Sequence, residues 1–262
     1  MDTQVEAAAQ HLLAAHRTRS RYAALPGALR PTTLASAYAI QEHFRRLLEP
    51  ERGAVCGYKI ALTSPVMQKL CGIPHPLSGP LYARSTHASP ALLDTAAFVR
   101  LGLECEIAVR LGGDLRPSDA PFTRQGVRAA VAAAAPAFEL IDDRNADYAA
   151  LDAIGIVADN CWNAGIVLGA FRPLESLPDL GSLSGGLTFD GALQGEGRGS
   201  DVLGHPLDAV AWLADHLAGR GRFLAAGMIV MTGSIVATKF PRAGVNAKFA
   251  LDGIGTVEAR LV

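Results

Sequence analysis

The chain has 262 residues, half of them hydrophobic and 19% charged, a length and balance that suit one globular unit with a substantial core. Lysine plus arginine number 24 against 25 for aspartate plus glutamate, so no bulk positive field exists to gather phosphate backbones, and nucleic acid is not an expected partner. Its most apolar stretch, 127–141, is interrupted by Arg128, Pro136 and Glu139, short of the roughly 18 clean apolar residues a membrane span needs, and Asp2, Glu6 and Gln10 stand where a secretory leader would be basic and then apolar.

A cytoplasmic protein without membrane contact is therefore expected. In chain order, helical patterns cover 5–19 and 33–49; in the second, Leu34, Tyr38, Phe44 and Leu48 form an apolar stripe. After a break at 50–53, residues 55–62 alternate as a strand, with Tyr58, Ile60 and Leu62 on one face and Lys59, Ala61 and Thr63 on the other. Ser64 then reads as an N-cap, Pro65 as the first helical residue and Gly72 as the stop. Residues 73–91 hold four prolines and read as a loop. A strand over 98–111, a turn at 112–114, a helix over 123–135 and a strand over 137–142 come next. The remainder reads mostly as strand: a hairpin about Asp190-Gly191, strands at 228–232 and 256–261, and one helix over 207–217. No repeat or low-complexity linker divides the chain. Cys56, Cys71, Cys105 and Cys161 form no CxxC pair and read as free thiols of a reducing compartment.

The chemistry concentrates in Leu103-Glu104-Cys105-Glu106-Ile107-Ala108-Val109. Its period of two puts Glu104 and Glu106 on the face opposite Leu103, Cys105 and Ile107, with α-carbons roughly 6.5 to 7 Å apart. Two carboxylates so placed either share a cation or sit solvated on a surface strand, and the segment alone leaves both readings open. Glu139 lies in Ala137-Phe138-Glu139-Leu140-Ile141, where an unpartnered carboxylate is costly. It is either a third metal ligand or a salt-bridged core residue. Three carboxylates with no histidine or cysteine set favour a hard cation, Mg²⁺ or Mn²⁺. Lys59 either snorkels to solvent or, in a pocket beside such a cation, binds a carboxylate or relays a proton. The scattered histidines, including His75 and His205, read as structural or surface residues, residues 142–144 as a local ion-pair cluster and Asp159-Asn160 as a cap or turn of the backbone. Gly195 to Gly199 follows a hairpin and is no nucleotide fingerprint.

The run Gly57-Tyr58-Lys59-Ile60-Ala61-Leu62-Thr63-Ser64, the Glu104-Cys105-Glu106 triplet, residues 138–144, Ala158-Asp159-Asn160, Leu203-Gly204-His205-Pro206 and residues 226–234 together resemble the hydratase/decarboxylase family of the fumarylacetoacetate hydrolase superfamily. The resemblance covers nearly the whole chain. It implies an α+β fold, a mixed β-roll (53–262) behind an N-terminal helical region (1–52), working as one catalytic unit and assembled into homo-oligomers. It also implies a metal held by Glu104, Glu106 and Glu139, a catalytic or substrate-orienting Lys59, and substrate contacts at Thr63, Ser64 and Thr232. The activity it implies is a metal-dependent lyase on small 2-oxo or 2-hydroxydienoic acids. Water addition by a 2-keto-4-pentenoate hydratase-like enzyme is the main reading; a 4-oxalocrotonate decarboxylase-like enzyme and a weakly active subunit that stabilises a relative are the alternatives. Three departures stand out: Leu77 replaces a common acidic residue, Arg84-Ser85 replaces an acid and a methionine, and Trp162 replaces a smaller residue.

Overall fold

The computed structural model describes residues 2–262. Helix α1 (Asp2–Arg17) packs on α2 (Leu34–Arg52), whose start is set by a capping box in which Thr33 and Ser36 exchange side-chain-to-backbone hydrogen bonds. The alternation at 55–62 becomes β1 (Val55–Ala61). Ser64 accepts from the Met67 N–H and Pro65 opens α3 (Pro65–Leu70), as its residue types dictate.

The expected loop at 73–91 is instead mostly strand: β2 (Leu77–Tyr82), β3 (Thr86–Ala88) and the start of β4 (Ala91–Leu93). Pro80 is tolerated because β2 is an edge strand, where a missing N–H breaks no ladder on the open side. The central pair is β5 (Leu101–Leu111) and β6 (Val131–Asp142). The expected helix over 123–135 stops at Ala130 as α4 (Arg124–Ala130), because the following alanines pair with β5 from Val131 onward. Alanine carries no periodicity of its own, so the long partner strand decides. Pro136 falls between the segments of β6 paired by its other neighbours, 133–134 and 137–141, and its carbonyl accepts from Gly169 N–H.

The rest comprises α5 (Ala153–Ala158), β7 (Asn163–Leu168), β8 (Arg172–Pro173), the hairpin β9 (Ser184–Phe189) and β10 (Ala192–Arg198), α6 (Pro206–Ala218), β11 (Ile229–Lys239), β12 (Asn246–Leu251) and β13 (Gly255–Leu261). Strands β7 and β12 had no distinct signal, and β11 runs well past the expected end at 232. The large sheet has the order β2-β1-β11-β5-β6-β7-β3, with β8 beside β6, and the smaller one β10-β9-β12-β13-β4. This is the expected mixed α+β roll with an amino-terminal helical layer.

Leu103, Cys105, Ile107 and Phe138 face the main core with α6 and the small sheet. A second core joins α1 and α2 to Leu77, Tyr82, Ile141 and Trp162. Leu77 is wholly buried there. Two buried aspartates brace this layer. Asp159, expected to cap or turn the backbone, is wholly buried between His16, at 2.6 Å, and Arg144; Asp143 pairs with Arg100. The cluster at 142–144 is thus not local, since its partners come from elsewhere in the chain. All four cysteines are free.

His216 on α6 is stacked against Trp212, with ring centroids 5.0 Å apart, and packs on Tyr38 of α2 at 4.9 Å. Burial, with lesser contributions from Arg220 and His75, pushes its pKa down from 6.5 to about 4. Between those values the unfolded chain binds a proton that the folded chain does not, so stability falls as pH drops through this window. Its size, allowing for partial solvent screening, is on the order of 1 to 2 kcal/mol. Chemical denaturation of wild type and His216→Gln at pH 7 and pH 4.5 should show a smaller acid loss in the variant; equal losses would remove His216 from the account.

Candidate metal centre and active site

Strands β5 and β6 are antiparallel, with Glu104 directly opposite Glu139 and Glu106 opposite Ala137. Paired residues share a face, so the register alone gathers the three carboxylates. One oxygen from each lies within 4.8 Å of the others. Glu106 and Glu139 are fully buried and Glu104 is half-buried. Lys59 reaches the same face from β1 through the row Lys59, Met231, Ala108, and its Nζ lies 3.0 Å from Glu139 Oε1. It does not snorkel, for it is 2% exposed.

Each carboxylate has one further donor. Asn163 Nδ2 donates to Glu139 Oε1 at 2.9 Å, Thr238 Oγ1 to Glu104 Oε1 at 2.6 Å, and Gly233 N–H to Glu106 Oε2 at 2.8 Å. The last bond exists because the β11 register shifts between Met231 and Ser234, a bulge that Gly233 enters at φ +118°. Asn163 follows Trp162 in a stretch already singled out, but Thr238 and Gly233 gave no sign of their role.

One lysine among three acids leaves the site short of positive charge. Burial and repulsion from Glu139 and Glu104 push the Glu106 carboxyl well above the usual carboxylate range, against Lys59 and the Gly233 N–H. Burial also raises Glu139 despite Lys59. Burial opposes the Lys59 ammonium, yet Glu139 and Glu104 outweigh it and hold its pKa above the ordinary lysine value. Glu106 Oε1 and Glu139 Oε2 are buried with no hydrogen-bond partner. Unspent hard oxygen donors facing one point are what a divalent cation of the Mg²⁺ class requires, so the residues present fit such an ion.

Beside the triad lies a cavity of about 520 Å³, lined by Lys59, Thr63, Ser64 and Glu104 among others. The structure thus brings Lys59, the glutamates, Thr63 and Ser64 together, although the Ser64 hydroxyl also caps α3. Thr232 is kept apart: it is wholly buried, outside the cavity wall, and its hydroxyl donates to the Ile107 carbonyl at 2.8 Å.

Residues 82–262 match the family model described as fumarylacetoacetate (FAA) hydrolase C-terminal. The chain is 34% identical over 258 residues to a 2-keto-4-pentenoate hydratase of Paraburkholderia phymatum, covering 98% of this chain and 97% of that one. It is 34% identical over 236 residues to a 4-oxalocrotonate decarboxylase of Pseudomonas putida, covering 88% and 86% respectively. The solved 4-oxalocrotonate decarboxylase of Pseudomonas putida G7, complexed with magnesium and adipate, superposes with a TM-score of 0.90 at 29% identity, over 100% of this chain and 98% of that one. The chain belongs to the fumarylacetoacetate hydrolase family. Within it, the relatives matched along most of their length are named as hydratases and decarboxylases.

A β-carbon at position 233 would lie 2.4 Å from Thr63 Oγ1, in a backbone conformation that side-chain-bearing residues avoid. Gly233→Ala should therefore cost about 1 to 3 kcal/mol in denaturant unfolding. It should also weaken Mg²⁺ or Mn²⁺ binding in calorimetric titration, by disturbing the N–H that holds Glu106. Wild-type values for both would show that the bulge does not position the site.

Proposed function

We propose that this chain is a divalent-metal-dependent lyase acting on small 2-oxo and 2-hydroxydienoic acids, adding water as a 2-keto-4-pentenoate hydratase does. The observation that carries the reading is the buried triad with its unspent oxygens, set beside Lys59 at the foot of a cavity. Glu104, Glu106 and Glu139 would hold Mg²⁺ or Mn²⁺. Such an ion, when bound, supplies Lewis-acid neutralisation of the charge that develops as an enolate forms.

The remaining work falls to the chain's own groups. Lys59 Nζ, fixed by Glu139, is the donor placed to orient a substrate carboxylate or carry a proton to the substrate. Thr63 and Ser64, at the cavity wall, are assigned substrate contacts. Thr232 is assigned a positioning role instead, since its bond to Ile107 ties β11 to β5 just before the bulge. The apolar walls limit water around the reacting carbons.

The decarboxylase reading stays in view because of the close superposition on a decarboxylase. A merely stabilising subunit is disfavoured by the intact triad and Lys59. We further infer that residues 1–52 and 53–262 act as a single catalytic unit, which the shared second core supports. Among the described residues, no helix is long and apolar enough to cross a membrane. A cytoplasmic location is inferred from the free thiols. Assembly into a homo-oligomer is inferred from exposed Leu92 and Leu193 on β4 and β10, the edges of the small sheet.

The protein should convert 2-hydroxypenta-2,4-dienoate to 4-hydroxy-2-oxopentanoate in the presence of Mg²⁺ or Mn²⁺ and lose the activity on chelation. Glu106→Gln should lower kcat/KM by about 10²-fold or more. Full turnover by that variant would reject the metal role, and CO₂ release from 4-oxalocrotonate without hydration of the dienoate would select the decarboxylase.

A further inference from the structure

The cavity beside the triad is larger and more one-sided than a five-carbon acid needs. Its volume of about 520 Å³ lies within the range of pockets that enclose drug-sized ligands. Away from the glutamates its walls include Val66, Met67, Leu151, Ile156, Trp162 and Phe240. Among the described residues that line it, Lys59 is the sole cation, and that lysine is already engaged with Glu139. The one charged group on the wall outside the triad and its lysine is an acid, Asp201. This wall is also built at a cost. Asn160, Cys161 and Trp162 stand consecutively at φ of 51°, 48° and 59°, a left-handed run that side chains disfavour. That run carries both Cys161 and Trp162 into the cavity lining.

We infer that the pocket selects 2-hydroxydienoates whose far end bears an uncharged, apolar substituent of several carbons, and rejects those ending in a second carboxylate. This rests on the lyase reading above and deepens it. A distal carboxylate entering this cavity leaves water without gaining an unpaired cation, since the Arg100 guanidinium behind the Phe240 ring is already bound to Asp143, and it meets Asp201. An alkyl or aryl group covers Leu151, Ile156 and Trp162 and is rewarded for the area it removes from water. Val66 and Phe240 are substantially exposed, as an apolar rim waiting for a ligand would be.

Two measurements separate this inference from the reading beneath it. The first compares kcat/KM for 2-hydroxypenta-2,4-dienoate, 2-hydroxyocta-2,4-dienoate and 2-hydroxyhepta-2,4-dienedioate with Mg²⁺ present. The octadienoate should exceed the dienedioate by at least about tenfold. The Leu151→Arg and Val66→Arg variants, which add a cation to a loop position and to an exposed helix position, should each shrink that ratio. The second measurement is calorimetric binding of 2-oxooctanoate and 2-oxoheptanedioate to the Mg²⁺-loaded protein, which needs no turnover; the monoacid should bind more tightly. If no dienoate turns over but the monoacid preference holds in binding, the lyase reading fails and the pocket assignment stands. Equal or better binding or turnover of the diacid, or a ratio that neither arginine variant moves, overturns the pocket assignment and leaves the lyase reading intact.

Discussion

Three carboxylates converge on one face of a sheet with a single lysine to answer them, and much of the surrounding structure is organised by that deficit of positive charge. Two of the three are fully buried, where an uncompensated carboxylate costs several kcal/mol. The sheet order β11-β5-β6-β7 sets the acid-bearing strands side by side and flanks them with strands that bear donors. From β7 comes the Asn163 amide, and from β11 come the Gly233 N–H and the Thr238 hydroxyl. Each satisfies one oxygen and fixes a carboxylate's orientation. Glu106 Oε1 and Glu139 Oε2 are left over, the oxygens a cation would claim.

The register between β5 and β6 is the geometric root of this arrangement. A slip of one residue would turn Glu139 toward Phe249 and the main core and bring Phe138 to the polar face. Leu103, Cys105, Ile107 and Phe138 oppose such a slip because all four are buried on the core side. The hydrophobic pattern therefore protects the site indirectly, by making every alternative register expensive.

This explains which parts were legible from residues alone. Glu104 and Glu106 could be placed on one face because period-two alternation is a local property, and Glu139 stood out because its neighbours are apolar. The fold class followed from the resemblance. What escaped was set by distant pairing. Val131 to Ala135 carries no period of its own and became strand only because β5 was there to pair with it. The prolines at 73–91 read as loop, yet Pro80 lies where an open edge tolerates it. Gly233 and Thr238 act through a bulge and a cross-strand reach, neither of which leaves a trace in the neighbouring residues. Thr232 was expected at the substrate, but its hydroxyl is committed to the Ile107 carbonyl.

Ile141, Ile156, Cys161 and Trp162 belong at once to the core beneath the first two helices and to the lining of the cavity. The pocket has no independent shell on that side, so its contour is inherited from how α1 and α2 seat. Drift in those helices, far from any reacting atom, would retune which molecules fit while the pairing of β5 with β6 stays as it is. Chemistry and discrimination thereby lean on different neighbours, the first on the pairing of β5 with β6 and the second in part on the seating of the two amino-terminal helices.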